Sequence, residues 1–284
     1  MSSTSIDLFV IGTASLDTLH LANGLTVQAA GGAGLYTALA AWRAGARVGL
    51  FAPKPEPIPE PLRPVAERLH WIGPVIEPEA LPRLEIAHHG GGKATLLSAS
   101  WGAENQLIPA SMPNEVTQAR FVHMAALSSA QRQLEFLQNI KRKGPKPQGR
   151  KVGQDISVGT YARLVYGDTA GVRRLFEQAG IFFMNENEAN GLFGGVDQAR
   201  TRPGGLLFVT LGAAGVLVIE GEQVMPVPGQ AALEVDPTGA GDTFCGAVLA
   251  GLAQSESAVA AAQKAVSLAA QVVGAVGPAA LLAK

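Results

Sequence analysis

One cysteine, Cys245, is all the chain contains, so an internal disulfide is excluded, and no Cys/His spacing resembles a zinc site. Its expected role is that of a small core residue rather than a reactive thiol. No apolar run is long enough to span a bilayer, and residues 1–7 hold no basic segment ahead of the first short apolar run. Both absences point away from export and from membrane insertion, and the reducing cytoplasm is the compartment expected. Charge is scarce too: Asp, Glu, Lys and Arg make up 16% of the residues and nearly cancel, to a formal −1. Nucleic acid and membrane surfaces therefore gain no general electrostatic pull, and an anionic ligand must be held by local groups. The hydrophobic share of 47% argues against disorder, and 284 residues suffice for one α/β domain with a large core.

What is present is an alternation of short apolar runs, ending in Gly or polar residues, with longer Ala/Leu-rich amphipathic stretches, the pattern of an α/β fold. Residues 8–12, 48–52, 121–124 and 181–184 read as strands, 35–44 and 131–143 as helices, and 63–69 as part of a helix. Residues 206–210 and 215–219 read as two strands joined by a Gly-rich turn, and the last third turns helical over 240–254 and 257–273. The sum favours a mainly parallel sheet covered by helices, with strand order left open. Segments 14–30 and 83–103 alternate polar and apolar residues without a helical period and are expected to pair into a small lid.

The densest chemistry lies in Asp236-Pro-Thr-Gly-Ala-Gly-Asp-Thr-Phe244. Gly239, Ala240 and Gly241 carry no bulky side chains, so their backbone N–H groups can crowd against an anion at the positive end of the following helix. Asp242 sits in the same first turn. A carboxylate there would repel a phosphate unless it faces a second ligand whose proton it accepts, which reads as a kinase base beside an anion hole. Asn185 and Glu188 read locally as a helix cap and its first-turn acid, and Thr210, Gly212 and Gly215 as a tight hairpin turn.

That run resembles the C-terminal signature of the ribokinase-like, PfkB-type carbohydrate kinases. Four further landmarks are similar to that family and fall in its order: Phe9-Val-Ile-Gly-Thr-Ala-Ser-Leu-Asp17, the glycine pair and helix beginning Gly31-Gly-Ala-Gly-Leu-Tyr36, Asn185-Glu-Asn-Glu188, and Thr210-Leu-Gly-Ala-Ala-Gly215. The resemblance implies a single ribokinase-like α/β domain over 1–284, with the small β lid inserted in it. It also implies transfer of the γ-phosphoryl group of ATP to a hydroxyl of a small sugar or cyclic polyol. Asp242 would be the general base, the Gly239, Ala240 and Gly241 amides the anion hole, and Asp17, Gly31, Gly32 and Tyr36 the acceptor site. Asn185, Thr210, Gly212 and Gly215 would adjoin the nucleotide, with Asn185 and Glu188 placing Mg²⁺ largely through water. A monovalent cation and a homodimer are further options the family brings.

Ala33 and Tyr36 stand where ribokinase-like members often carry Lys and Asn, which weakens ribose itself as acceptor. The flat face and single hydroxyl of Tyr36 suit a cyclic polyol, a nucleoside or a pyrimidine alcohol. A nucleoside or pyrimidine-alcohol kinase is thus the alternative, and a non-catalytic sensor on a kinase fold is the alternative of another class. Gly90-Gly-Gly-Lys93 is no Walker A loop, since Ala87 replaces its first Gly and Ala94 its Ser/Thr. Gly32-Ala-Gly-Leu-Tyr-Thr37 lacks the strand in front and the third Gly of a dinucleotide fingerprint, so a nicotinamide enzyme is a more distant reading. His88 and His89 face opposite sides of a strand and cannot share a metal; they are expected to be exposed or to pack in the lid. Lys93 and Asp155 are further candidates near the substrate, with an ordinary surface charge the expected role of each. The Pro-rich stretch 53–61 and the basic stretch 141–151 read as surface connections.

Overall fold

The computed structural model describes residues 6–143 and 156–283. The candidate Asp155 and most of the basic stretch lie outside them. Leu8–Ile11 is buried at every position, and its side chains divide by parity. Leu8 and Val10 join one apolar cluster, Phe9 and Ile11 another on the opposite face, as a strand covered on both sides requires. Helices Ala33–Arg43, Ala240–Ala253 and Ala258–Val273 pack on the first face. Ala130–Lys143, Thr169–Gln178 and Glu186–Phe193 pack on the other.

The nine-stranded sheet so enclosed runs in the order Gln223–Pro228, Gly215–Glu220, Leu206–Thr210, Ile181–Asn185, Ile156–Gly159, Phe121–Met124, Leu8–Ile11, Val48–Phe51, His70–Ile72. From Leu206–Thr210 to His70–Ile72 all neighbours are parallel, and the two strands at the other edge are antiparallel. This is the expected α/β class.

A four-stranded sheet in the order Thr26–Gly31, Ser15–His20, Arg83–Gly90, Lys93–Ser100 forms from the two segments read as lid strands. Ser15–His20 runs antiparallel to Thr26–Gly31 and parallel to Arg83–Gly90. The Pro-rich stretch is not wholly a connection, because Lys54–Pro55 pairs with Val75–Ile76. Of residues 63–69, expected to be helical throughout, only Arg63–Ala66 is α-helical.

Candidate active site

Parallel strands all end on one side, and Asn185 and Thr210 close two of them. There a cavity of about 330 Å³ opens between the two sheets. It is lined by Asp17, Gly32 and Tyr36, by Asn185, Glu188 and Thr210, and by Gly239, Gly241 and Asp242. The structure thus brings most of the sequence candidates to one space.

The turn entering helix Ala240–Ala253 is built by Asp236. Its Oδ1 accepts from the Thr238 amide at 2.9 Å and its Oδ2 from the Gly277 amide at 2.8 Å. Gly239 then adopts φ +74°, a left-handed conformation that favours glycine, and a Cβ there would overlap the Tyr36 ring. A Cβ on Gly241 would meet nothing within 4 Å, so its glycine keeps the space above the helix start open. The Ala240 amide donates to Pro237 O at 3.2 Å. Among the described residues the amides of Gly239, Gly241 and Asp242 have no protein acceptor. The available donors therefore include Asp242's own amide and leave out Ala240, a shift from the sequence reading.

Further along the helix, Phe244 anchors the turn by edge contacts to Phe183 and Phe208, with ring centroids 6.4 and 6.0 Å away. Two residues before it, Asp242 presents its carboxyl to the cavity with no hydrogen-bond partner among the described residues. Burial of the charge pushes its pKa up to about 7. Glu188 is also pushed up to about 7, first by burial, with the charge of Asp242 adding and bonds from Asn185 opposing. Asn185 and Glu188 form a reciprocal capping box: Glu188 N–H donates to Asn185 Oδ1 at 3.0 Å, and Asn185 N–H to Glu188 Oε2 at 2.9 Å. Two raised carboxyls in one cavity make a site where a divalent cation would relieve charge. Among the described residues no group of three His, Cys, Asp or Glu gathers as a metal cage.

Asp17 stands elsewhere than at the end of the first strand. It is the third residue of Ser15–His20, in the smaller sheet. Its Oδ1 accepts from the Leu84 amide at 3.1 Å, while Oδ2 is buried without a partner. Burial lifts its pKa to about 6, opposed by the nearby Ser15 hydroxyl, which falls short of a hydrogen bond, and by the Leu84 amide. A buried carboxylate oxygen left unbonded is costly unless a ligand hydroxyl completes it. Gly31 serves this group: a Cβ on it would overlap Asp17 Oδ2. Its missing side chain leaves room for that carboxylate, and Gly31 itself does not line the cavity. Tyr36 likewise lies under Gly239, its buried hydroxyl unpartnered. Gly212 and Gly215 do not line the cavity, and Gly215 is packed against Val227 O. Lys93 is exposed at a hairpin strand's start, away from the cavity.

Several lining groups escape sequence reasoning. His123, at the third position of Phe121–Met124, is fully buried, holds Ser157 Oγ at 2.8 Å through Nδ1, and lies 3.6 Å from Cys245 Sγ. Burial drops its pKa to about 3, so the ring is neutral. Trp101 and Tyr161 form an aromatic wall with centroids 6.1 Å apart. His88 and His89 do face opposite ways, but His88 is buried against Asp236, 3.1 Å from its Oδ1. Their sequence signal is weak, since Trp101 and Tyr161 follow strands and the histidines lie within them, positions that bulky and polar residues commonly take.

A family model for pfkB family carbohydrate kinases matches residues 75–284. A cytidine kinase from Thermococcus kodakarensis is 31% identical over 255 residues, 87% of this chain and 88% of that one. Among solved structures, an adenosine kinase from Sinorhizobium meliloti superposes with a TM-score of 0.78 at 19% identity, covering 97% of this chain and 96% of that one. A ribokinase from Cryptococcus neoformans in complex with ADP superposes with a TM-score of 0.74 at 20% identity, over 96% and 95% of the two chains. At these identities the structural likenesses establish the ribokinase-like fold.

Proposed function

The chain belongs to the pfkB family of carbohydrate kinases, a sugar or nucleoside kinase by class, and from that premise we propose a mechanism centred on Asp242. The observation that carries it is one cavity holding Asp17, Asp242 and the Gly239 and Gly241 turn. Asp17 accepts hydrogen bonds from acceptor hydroxyls through its unpartnered Oδ2. Asp242 takes the proton from a third hydroxyl as that oxygen forms a bond to the γ-phosphorus of ATP; the bond to the β-phosphate oxygen breaks and ADP leaves with its electron pair. The amides of Gly239, Gly241 and Asp242 receive the charge on the transferring group. Asn185 and Glu188 would hold Mg²⁺ largely through water, and the ion would supply neutralising charge to the phosphates. Thr210 flanks the nucleotide.

A small sugar or cyclic polyol satisfies these groups. The Trp101 and Tyr161 wall favours a second reading, a nucleoside whose base stacks there, and the cytidine kinase relative supports it. A homodimer through the smaller sheet is consistent with its edge strand Lys93–Ser100, where Leu96 and Leu97 are 48% and 53% exposed.

The test is Mg²⁺-dependent ADP release across sugars, inositols, nucleosides and pyrimidine alcohols, repeated with and without potassium. Asp242→Asn keeps the fold and lowers turnover at least about a hundredfold. Near-normal turnover in that variant removes Asp242 as base. Acceptor binding without ADP release in the parent chain points instead to a sensor.

A further inference from the structure

Strand Arg83–Gly90 touches both halves of the site. At one end the Leu84 amide donates to Asp17 Oδ1 at 3.1 Å. Four residues on, the buried His88 places Nε2 3.1 Å from Asp236 Oδ1 and 3.1 Å from Thr238 Oγ1. The His88 and Asp236 side chains are 2% and 0% exposed, so this contact is desolvated. The hairpin tip adds a second anchor, the Gly92 amide to Glu234 Oε2 at 2.6 Å. Asp236 is the residue that shapes the turn, through the Thr238 and Gly277 amides. With both its oxygens fixed, the backbone has little latitude before Gly239.

We propose that His88 is a positioning residue: from the strand that also holds Asp17, it fixes Asp236 and Thr238 and so ties the Gly239 and Gly241 turn to the acceptor side of the cavity. The smaller sheet then acts as a brace between the group that orients the acceptor and the amides that face the phosphate. By reciprocity, ordering either side orders the other. Glutamine at this position keeps an N–H donor at the reach of Nε2, leucine keeps the bulk without the donor, and asparagine is too short to reach.

Hydrogen exchange of the backbone over 236–243 tests the brace independently of any acceptor. His88→Leu is expected to speed exchange there about fivefold to tenfold, the amount one buried hydrogen bond, here the one to Thr238 Oγ1, typically supplies, with His88→Gln within about threefold of the parent. Should His88→Leu fail to accumulate folded, His88→Asn against His88→Gln reads the same contrast. Unchanged exchange in His88→Leu, or equal acceleration in the Leu and Gln variants, overturns the proposal. The effect on catalysis rests on the kinase reading. With an acceptor in hand, kcat per folded molecule falls about tenfold in His88→Leu and recovers in His88→Gln, with acceptor KM changed less than kcat. A loss of melting temperature with kcat intact makes His88 merely structural.

Discussion

Asp17, Glu188 and Asp242 are carboxyls held at about 6, 7 and 7 chiefly by burial. Each binds its proton more tightly folded than unfolded. Between the ordinary carboxyl values of 3.8 and 4.5 and these raised ones, the folded chain therefore carries more protons, and its stability falls as pH rises. The ligand-free protein is expected to lose melting temperature from about pH 4 to about pH 7 and to level off above. Asp242→Asn should melt higher than the parent at pH 8, with the gap narrowing toward pH 5; a constant gap would deny the burial of this charge. On the proposed mechanism Asp242 acts deprotonated, so kcat/KM should climb with pH up to about 7 and then flatten. That Asp242 and Asp17 reach one cavity was legible in the chain, because each sits inside a local motif. His88 was not, since its partners Asp236 and Thr238 lie at the far end of the chain and only folding brings them within 3.1 Å.

Helix Ala240–Ala253 shows how two glycines in one turn differ. Gly239→Ala forces a left-handed φ on a β-carbon and drives it into Tyr36, at a cost of about 1–2 kcal/mol from the backbone alone, readable by urea titration. Gly241→Ala meets no protein atom and gains up to about 1 kcal/mol of helix propensity. It should hold or raise the melting temperature while cutting turnover at least about tenfold, since the methyl would enter the space proposed for the transferring phosphate. Equal destabilisation by both substitutions would contradict the packing. Elements with a strong local pattern were readable: Phe121–Met124 and Leu206–Thr210 fall where periodicity put them. Ile156–Gly159 and Thr169–Gln178 were not assigned. The former is four residues long and broken by Ser157. The latter owes its stability to Val172 and Leu175 packing on the sheet face rather than to a long apolar stripe.

For the whole molecule, the nucleotide is expected to act as a clamp joining the large sheet's strand ends to the turn at Gly239. Mg²⁺ and ATP at about a hundred times Kd supply about 2.7 kcal/mol, a rise of about 5–10 °C in melting temperature for a chain this size. NADH should produce none; a shift with NADH alone would revive a nicotinamide enzyme. The α/β class and the pairing of segments 14–30 and 83–103 were visible in the spacing of apolar residues. Strand order was not, because Leu8–Ile11 draws its two neighbours from 48–51 and 121–124, and such distant pairings leave no local trace.

The aromatic wall also makes the chain its own optical instrument. Of the three tryptophans, Trp71 is buried with its Nε1–H donating to Ala52 O at 3.1 Å, and Trp42 lies beneath the Arg68 guanidinium. Trp101 alone lines the cavity. On the proposed reading an acceptor entering the cavity would displace water from this indole, so emission colour and quenching are expected to follow occupancy in real time, without a label. With Trp42 and Trp71 changed to Phe, the remaining fluorescence would time acceptor arrival separately from the transfer that follows.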